Sequence, residues 1–496
     1  MKFLIFLSLL AMPFSPDNVQ EETSAVQEDT SLVVLTLEDA LKIALSENIS
    51  VKVADKEITR TEYAKKGAYA ALFPNIDGTA SFQRTIKKQV MYMDGDGGFD
   101  IGKMVGESLA PMLMPLYGKH PDLPNPFITM QQEAGKSSEE SSSSNEGFSV
   151  GRWNTWSAGI TASMPLVNAQ LWESLKISGD EVELAVEKAR SSRIDMVTQV
   201  KNAFFTVLLS KEANKVYEMV YENAVRNLEI TQMRYNSQKA SEMELSRAKT
   251  TVANAIPDVY NSRNDVGLAL WQLKAVMGVD LDYNMDVAGK LSDHAGEMFY
   301  DLHQHDSIDV SRNSSLKQLS IQIEEVAKTV KMNQMAYVPS LAVVFNYTYS
   351  AMTNDFNFRE YKWTPYSYVG LSLNIPIFSG GKRLNTVRQS KVQYEELKLQ
   401  RVDVERQLKI AIKSFLSTME TSMNSYYAAQ SAVESAKKSY DITEKSYQVG
   451  RSTLVELNDA LVALASSELM ECQAIFSFLG AKANLEKQLG NEYVQE

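Results

Sequence analysis

The sequence holds a single cysteine, Cys472, so no disulfide can close within the chain and a zinc centre of several thiolates is excluded. It lacks an excess of positive charge: 50 Lys+Arg face 62 Asp+Glu, for a net charge of -12. A non-specific nucleic-acid binder needs a basic stripe to displace condensed counterions, so nucleic acid is not an expected partner. Beyond the first residues no window of eighteen uncharged apolar residues occurs, and membrane contact by a spanning helix is not expected. Also missing are a P-loop, a nucleophile elbow, an HExxH spacing and a glycine-rich phosphate cradle, so the chain reads as no enzyme and as needing no cofactor. Glycine (23) and proline (13) are scarce, and their positions punctuate the chain. With 44% hydrophobic and 23% charged residues the chain as a whole is not disordered.

Met1-Lys2 followed by the apolar run Phe3 to Ala11 is too short to span a bilayer and has the form of a secretory signal, here assigned to residues 1–15. An acidic tail is expected over 16–36. No cysteine stands near the end of the apolar run, which excludes lipoprotein processing.

The chain then repeats itself. Asn48 precedes Pro74 and Asn313 precedes Pro339, both by about 26 residues. Met164-Pro165 is echoed by Ile375-Pro376, Tyr235 by Tyr447, and Met277-Gly278 by Leu489-Gly490. Two tandem units follow, 37–278 and 307–490, joined by an irregular segment, 279–306, and ending in a short tail, 491–496. Each opens with a helix expected over Leu37–Phe73 and Ile308–Val338, stopping at a proline. Alternating strands come next: Ile76, Gly78, Ala80 and Phe82 oppose Asp77, Thr79, Ser81 and Gln83, and Leu341 to Tyr349 alternate likewise. Return strands through Trp156–Met164 and Val369–Ile375 are expected to end at the second proline. About ten alternating residues is the pattern of a tilted strand crossing an outer membrane, with Trp153, Trp156, Trp363, Tyr366 and Tyr368 as a girdle; an ordinary amphipathic hairpin of a soluble sandwich is the alternative.

Long helices are expected from Leu166 to Ser237 and from Leu384 to Val449, with return helices over Glu242–Ala275 and Leu454–Leu489. Tyr394, Leu397, Arg401, Val404, Leu408, Ala411, Phe415 and Thr418 mark a seam at spacings of three and four. The strand-to-strand loop of the first unit, 87–152, is far longer than that of the second, Ala351–Pro365. It carries Met93-Asp94-Gly95-Asp96-Gly97-Gly98, which lacks the ligand spacing of a calcium loop, so no metal is expected there. His294, His303 and His305 in the joining segment read as surface residues, the scattered methionines as packing, and Cys472 as a buried small residue.

Leu37-Glu38-Asp39-Ala40-Leu41, Leu72-Phe73-Pro74, Pro376-Ile377-Phe378-Ser379-Gly380-Gly381 and Tyr447-Gln448-Val449-Gly450, in this order and with the twofold repetition, resemble the TolC-type outer-membrane efflux proteins. Two units of two strands cannot close a barrel alone, so strands entering lipid require other copies. The resemblance implies a mixed α/β membrane protein: a homotrimer with four strands per chain in a twelve-stranded barrel, continued by a long α-helical periplasmic tunnel. It implies outer-membrane localisation, outer-membrane lipid around the barrel, and a periplasmic adaptor and inner-membrane transporter as partners. The expected function is a passive exit duct for small molecules in a tripartite efflux system. The alternatives are an exit duct for one-step protein secretion and a non-conducting envelope scaffold or adhesin.

The same resemblance places acidic rings at Glu456 and Asp459, three residues apart on one helical face, as a cation-favouring constriction. A solvated helix face is the competing reading of that pair. Tyr447 matches a tyrosine that ties the closed end. The matching basic position holds Ser452, with Arg451 one place earlier, and a tie from Arg451 to Glu244 completes the expected tip network. Gln238, Lys239, Val449 and Gly450 are the expected adaptor contacts, Gln238 standing where the family often has glycine.

Overall fold

The computed structural model describes residues 32–91, 148–298 and 309–492. The signal over 1–15, most of the acidic tail, the loop beyond Met91, the Asp-Gly run, His303 and His305 lie outside them. Backbone contacts divide the chain into a helical unit (Met1–Thr61, Glu181–Ile323 and Glu395–Glu496) and a strand unit (Glu62–Asp180 and Glu324–Tyr394).

In the helical unit, β1 (Val33–Leu35) pairs in parallel with β6 (Met285–Val287). Residues 33–35, read from sequence as tail, are therefore a strand, and the segment expected to be irregular supplies its partner and a 3-10 helix, Leu291–Met298. α1 (Leu37–Glu47) begins at a capping box, Thr36 accepting from the Asp39 amide while the Asp39 carboxylate accepts from that of Thr36. Where one helix was expected to Phe73, Asn48 interrupts it and α2 (Ile49–Ala70) follows. Asn48 is extended (φ -61°, ψ 130°) because its side chain has two other engagements. Its oxygen accepts from the Ser50 amide at 2.7 Å and its amide donates to the Val276 carbonyl at 2.6 Å. The second repeat does the same before α5 (Ser314–Met335): Asn313 caps the Leu316 amide and donates to the Gln488 carbonyl at 2.8 Å.

Each asparagine is met by a helix ending in a left-handed glycine. α4 (Glu242–Met277) stops at Gly278 (φ 77°), and α7 (Leu454–Leu489) at Gly490 (φ 72°). A Cβ on Gly278 would lie 2.9 Å from the Asn48 Cα, and one on Gly490 2.2 Å from the Arg312 carbonyl oxygen. Neither glycine can be replaced without moving backbone. Asn48→Ala or Asn313→Ala loses a cap and strands a carbonyl, and each is expected to destabilise the helical unit by about 1–2 kcal/mol in denaturant titration.

The two long helices are α3 (Ala169–Asn236, 68 residues) and α6 (Lys382–Gln448, 67 residues). α4 runs through Pro257, inside the return helix expected over Glu242–Ala275. The core of the helical unit gathers Leu41, Phe204, Leu208, Leu273, Met277, Ile412, Met419 and Phe478. On α6 the seam holds at Tyr394, Leu397, Val404, Leu408 and Phe415, but Arg401 and Thr418 are exposed and Ile412 and Met419 are the fully buried members. A helix of 3.6 residues per turn drifts against a strict heptad, and the buried stripe moves one residue along with it. By length and composition α7 could cross a bilayer, yet Leu457, Leu461, Leu464, Ile475 and Phe478 of this helix are buried in the two apolar clusters of the helical unit.

The strand unit holds a four-stranded antiparallel sheet in the order β2 (Asn75–Arg84), β5 (Asn154–Val167), β7 (Ser340–Thr353), β8 (Thr364–Asn374). A short pair, β3 (Gln89–Met91) with β4 (Phe148–Val150), extends the first hairpin beyond the sheet. β5 does not end at Pro165 as expected: it continues to Val167 across an irregularity, the place in a ladder where a residue without an N–H is tolerated. The register sets Ile76, Ile160, Phe345, Val369 and their alternate neighbours on one face. That apolar face is open, with Ile76 68%, Val369 72% and Leu371 71% exposed. Across the other face Ser81 and Ser157 share a hydrogen bond of 2.7 Å and Asn346 donates to Thr161 at 3.1 Å.

Candidate functional site: the helical tip

The long hairpins turn at residues 237–241 and 449–453, and both turns use the same chemistry. Ser241 accepts from the Glu244 amide while the Glu244 carboxylate accepts from the Ser241 amide, and Thr453 and Glu456 make the same reciprocal pair. These capping boxes satisfy two otherwise orphaned donors at each helix start and place a carboxylate at the positive end of the macrodipole. The turn before each box needs a left-handed residue. Gly450 supplies it at φ 81°; the other turn uses Gln238 at φ 58°, the one non-glycine with positive φ among the described residues. Left-handed backbone costs a residue with a Cβ about 1–2 kcal/mol. Gln238→Gly is therefore expected to stabilise the first turn by about 1 kcal/mol, read as slower amide exchange over 236–242.

Tyr447, near the end of α6, is 2% exposed, and its hydroxyl shares a 2.6 Å hydrogen bond with the fully buried Thr231 of α3. Arg234, one turn further along α3, lies with its guanidinium 4.8 Å from the Tyr447 ring centre and donates to the Tyr447 carbonyl at 2.9 Å. That carbonyl is one of the last four of α6, which have no partner within their own helix. Ala248, Leu454, Leu457 and Leu461 pack around the tyrosine. Next to this lock the α3–α6 contact is polar and incompletely paired. Both amide atoms of Asn227 and the Tyr440 hydroxyl are buried without a hydrogen-bond partner among the described residues. Burial pushes the Tyr440 hydroxyl up to about 12.

The expected residues are thus distributed as follows. Tyr447 is brought together with Thr231 and Arg234. The structure does not bring Arg451 to Glu244: Arg451 is exposed, and the Glu244 carboxylate is taken up by its own helix cap. Ser452 is half-buried in the turn, where its amide bonds the Ser446 carbonyl. Glu456 and Asp459 are both exposed on one side of α7, opposite the buried Leu454, Leu457 and Leu461. Lys239, Val449 and Gly450 are placed at the turns, Val449 71% exposed. Thr231 and Arg234 were missed as functional residues. The signal available was the repeat itself, which sets Arg234-Tyr235 opposite Ser446-Tyr447 and so marks where the two tips differ.

Among the described residues no cluster of His, Cys, Asp and Glu has the arrangement of a metal centre. His294 bonds Glu297 at 2.8 Å, and Lys482 bonds it at 2.6 Å, holding that carboxyl down at about 2. Cys472 is partly buried, and burial raises its thiol to about 11, far from a reactive thiolate.

A family profile described as outer membrane efflux protein matches residues 124–279 and 310–491. The chain belongs to that family. Outer membrane protein TolC of Salmonella enteritidis is 21% identical over 352 residues, 68% of this chain and 69% of the relative. The pyoverdine export outer membrane protein OpmQ of Pseudomonas aeruginosa is 22% identical over 373 residues, 72% of this chain and 74% of its own length. Among solved structures the CmeC outer membrane channel of Campylobacter jejuni superposes with a TM-score of 0.66 at 15% identity, covering 92% of this chain and 86% of that one. The fold of this family member is that of an outer-membrane efflux channel, and the bacterial outer membrane is its location.

Proposed function

We propose that three copies of this chain close a barrel in the outer membrane and form the passive exit duct of a tripartite efflux system. The observation that carries this is the sheet: four amphipathic strands whose outer members, β2 and β8, each pair on one side only among the described residues. Lipid tolerates no unpaired strand edge, so β8 of one copy must continue onto β2 of the next until the ring closes. Three copies give the twelve strands the family resemblance implies. The apolar face then meets lipid and the Ser, Thr and Asn face lines the lumen.

On this reading the long helices of the three chains continue the duct through the periplasm, and the tip of Tyr447, Thr231 and Arg234 is its closing element. Glu456 and Asp459 would ring the constriction. Gln238, Lys239, Val449 and Gly450 would meet the periplasmic adaptor, and an inner-membrane transporter would supply the energy and deliver small molecules. The name of OpmQ as an export protein and the name of the family support that direction of transport.

The test is the mass of the detergent-purified oligomer, with single-channel conductance in planar bilayers on the same sample. A trimer passing small, cation-selective currents is the expected result. A monomer, or a trimer silent even after the tip is destabilised, would leave a non-conducting scaffold.

A further inference from the structure

Among the described residues, the strand ends at the hairpin side of the sheet carry a charge opposite to that of the chain. Within a protein of net charge -12, Arg84, Lys87, Lys88, Arg152, Arg359 and Lys362 stand at this end of the strands, against Asp355 and Glu360. All six bases except the half-buried Lys88 are exposed. None of them pairs with a carboxylate among the described residues; the ion pairs within the strand unit, Lys176 with Glu173 and Lys328 with Asp180, lie on the helices.

These cations are organised by an aromatic belt on the apolar face. Phe82 and Trp156 are opposite in register and their rings are 4.2 Å apart. The connection from β7 to β8 folds over onto them: Phe358 meets Trp156 edge-on at 4.8 Å, and Phe356 lies 6.1 Å from Phe82. The Asp355 carbonyl holds that fold by accepting from the Asn154 amide, the Thr353 hydroxyl and the Tyr361 hydroxyl at 2.9, 3.1 and 2.8 Å. Arg84 lies over the Phe356 ring at 5.4 Å and Lys88 over the Trp153 ring at 4.7 Å. The result is an apolar strand face, then an aromatic belt, then a layer of cations without an ion-pair partner among the described residues.

That sequence of layers is the inverse image of a lipid with acyl tails and phosphates on its headgroup. Guanidinium and ammonium groups bind phosphate oxygens with charge-assisted hydrogen bonds, and rings at the interface fix the depth of the strand. We propose that this belt binds the phosphates of an outer-leaflet glycolipid, whose tails lie along the apolar face of the sheet. The proposal rests on the reading that the strands span the membrane with their hairpin ends outward, since only then do the cations reach that leaflet.

The experiment adds a bis-phosphorylated glycolipid, or the same lipid with its phosphates removed, to the purified oligomer in nanodiscs, and follows fluorescence of Trp153 and Trp156. The phosphorylated lipid should bind with strong salt dependence, and the dephosphorylated one much more weakly. With each cation near a lipid surface contributing about a fivefold factor, Arg84→Gln/Lys88→Gln/Arg359→Gln/Lys362→Gln should weaken binding by about six-hundredfold. Arg84 and Lys88 also touch rings, so Arg359→Glu/Lys362→Glu, which alters two exposed side chains that lie over no ring among the described residues, is read alongside. Equal binding of the two lipids, or unchanged binding by both variants, overturns the proposal. Oligomer mass and conductance on the same samples separate its failure from that of the duct: loss of lipid binding with a conducting trimer concerns the belt alone.

Discussion

Replacing Glu456 by Gln and Asp459 by Asn together is expected to weaken divalent-cation block of the channel by about tenfold, equivalent to about 1.4 kcal/mol at the constriction. The two side chains lie on one exposed face of α7, and a three-fold axis would bring six carboxylates around a single opening. Like charges forced together bind a divalent cation well, because it neutralises two of them at once. The substitutions are chosen from the local structure. Glu456 also closes the capping box with Thr453, so Glu456→Ala would remove a cap worth about 1 kcal/mol as well as a charge. Gln serves in that box as Glu does and isolates the electrostatic effect. Asp459 has no capping duty, and Asp459→Asn alone should give the larger single effect. Conductance titrated with a divalent cation decides it: unchanged block in the double variant returns both residues to an ordinary solvated helix face.

Elements with strict periodicity were legible in the sequence. β2 and β8 were found from alternation and α7 to its last residue, because leucines and a terminal glycine mark it unambiguously. What escaped was decided by partners far along the chain. Nothing near Asn48 announces that its amide will bond Val276, 228 positions away, and so break a helix. Pro165 looked like a stop because an ideal ladder excludes it, whereas the observed strand absorbs it at an irregularity. The seam on α6 was read with a fixed period and so lost register by one residue at Ile412 and Met419. At the tip, family resemblance pointed to Tyr447 but tied it through Arg451 and Glu244. The structure instead gives Tyr447 two partners on α3, one of them a buried threonine with no sequence signature of its own. The aromatic belt was half legible: the rings were expected at strand ends, but their stacking depends on the ten-residue connection folding onto the apolar face.

Tyr447→Ala is expected to open the tip, and Tyr447→Phe to leave it closed. The phenylalanine variant loses one hydroxyl contact, and Thr231 keeps its 2.7 Å hydrogen bond to the Asn227 carbonyl, so no buried group is stranded. Its cost is about 1 kcal/mol. The alanine variant removes the whole ring from a site that is 2% exposed. It leaves a cavity among Leu454, Leu457 and Leu461, takes away the face that Arg234 covers, and costs about 3–5 kcal/mol. That loss falls where the α3–α6 contact is already weak, since Asn227 and Tyr440 bring buried polar atoms without partners to the same interface. Separation of the helices there would let water reach those groups and recover part of their desolvation, so the interface is biased towards parting once the tyrosine is gone. Arg234→Ala should behave between the two, because it removes one of the two donors to the Tyr447 carbonyl, which keeps the Gly450 amide at 2.9 Å, but spares the ring and its Thr231 bond. Amide exchange over 440–460 and the conductance of each variant should rank Tyr447→Ala above Arg234→Ala above Tyr447→Phe. A phenylalanine variant that leaks as much as the alanine variant would transfer the lock from the buried ring to the single hydroxyl contact.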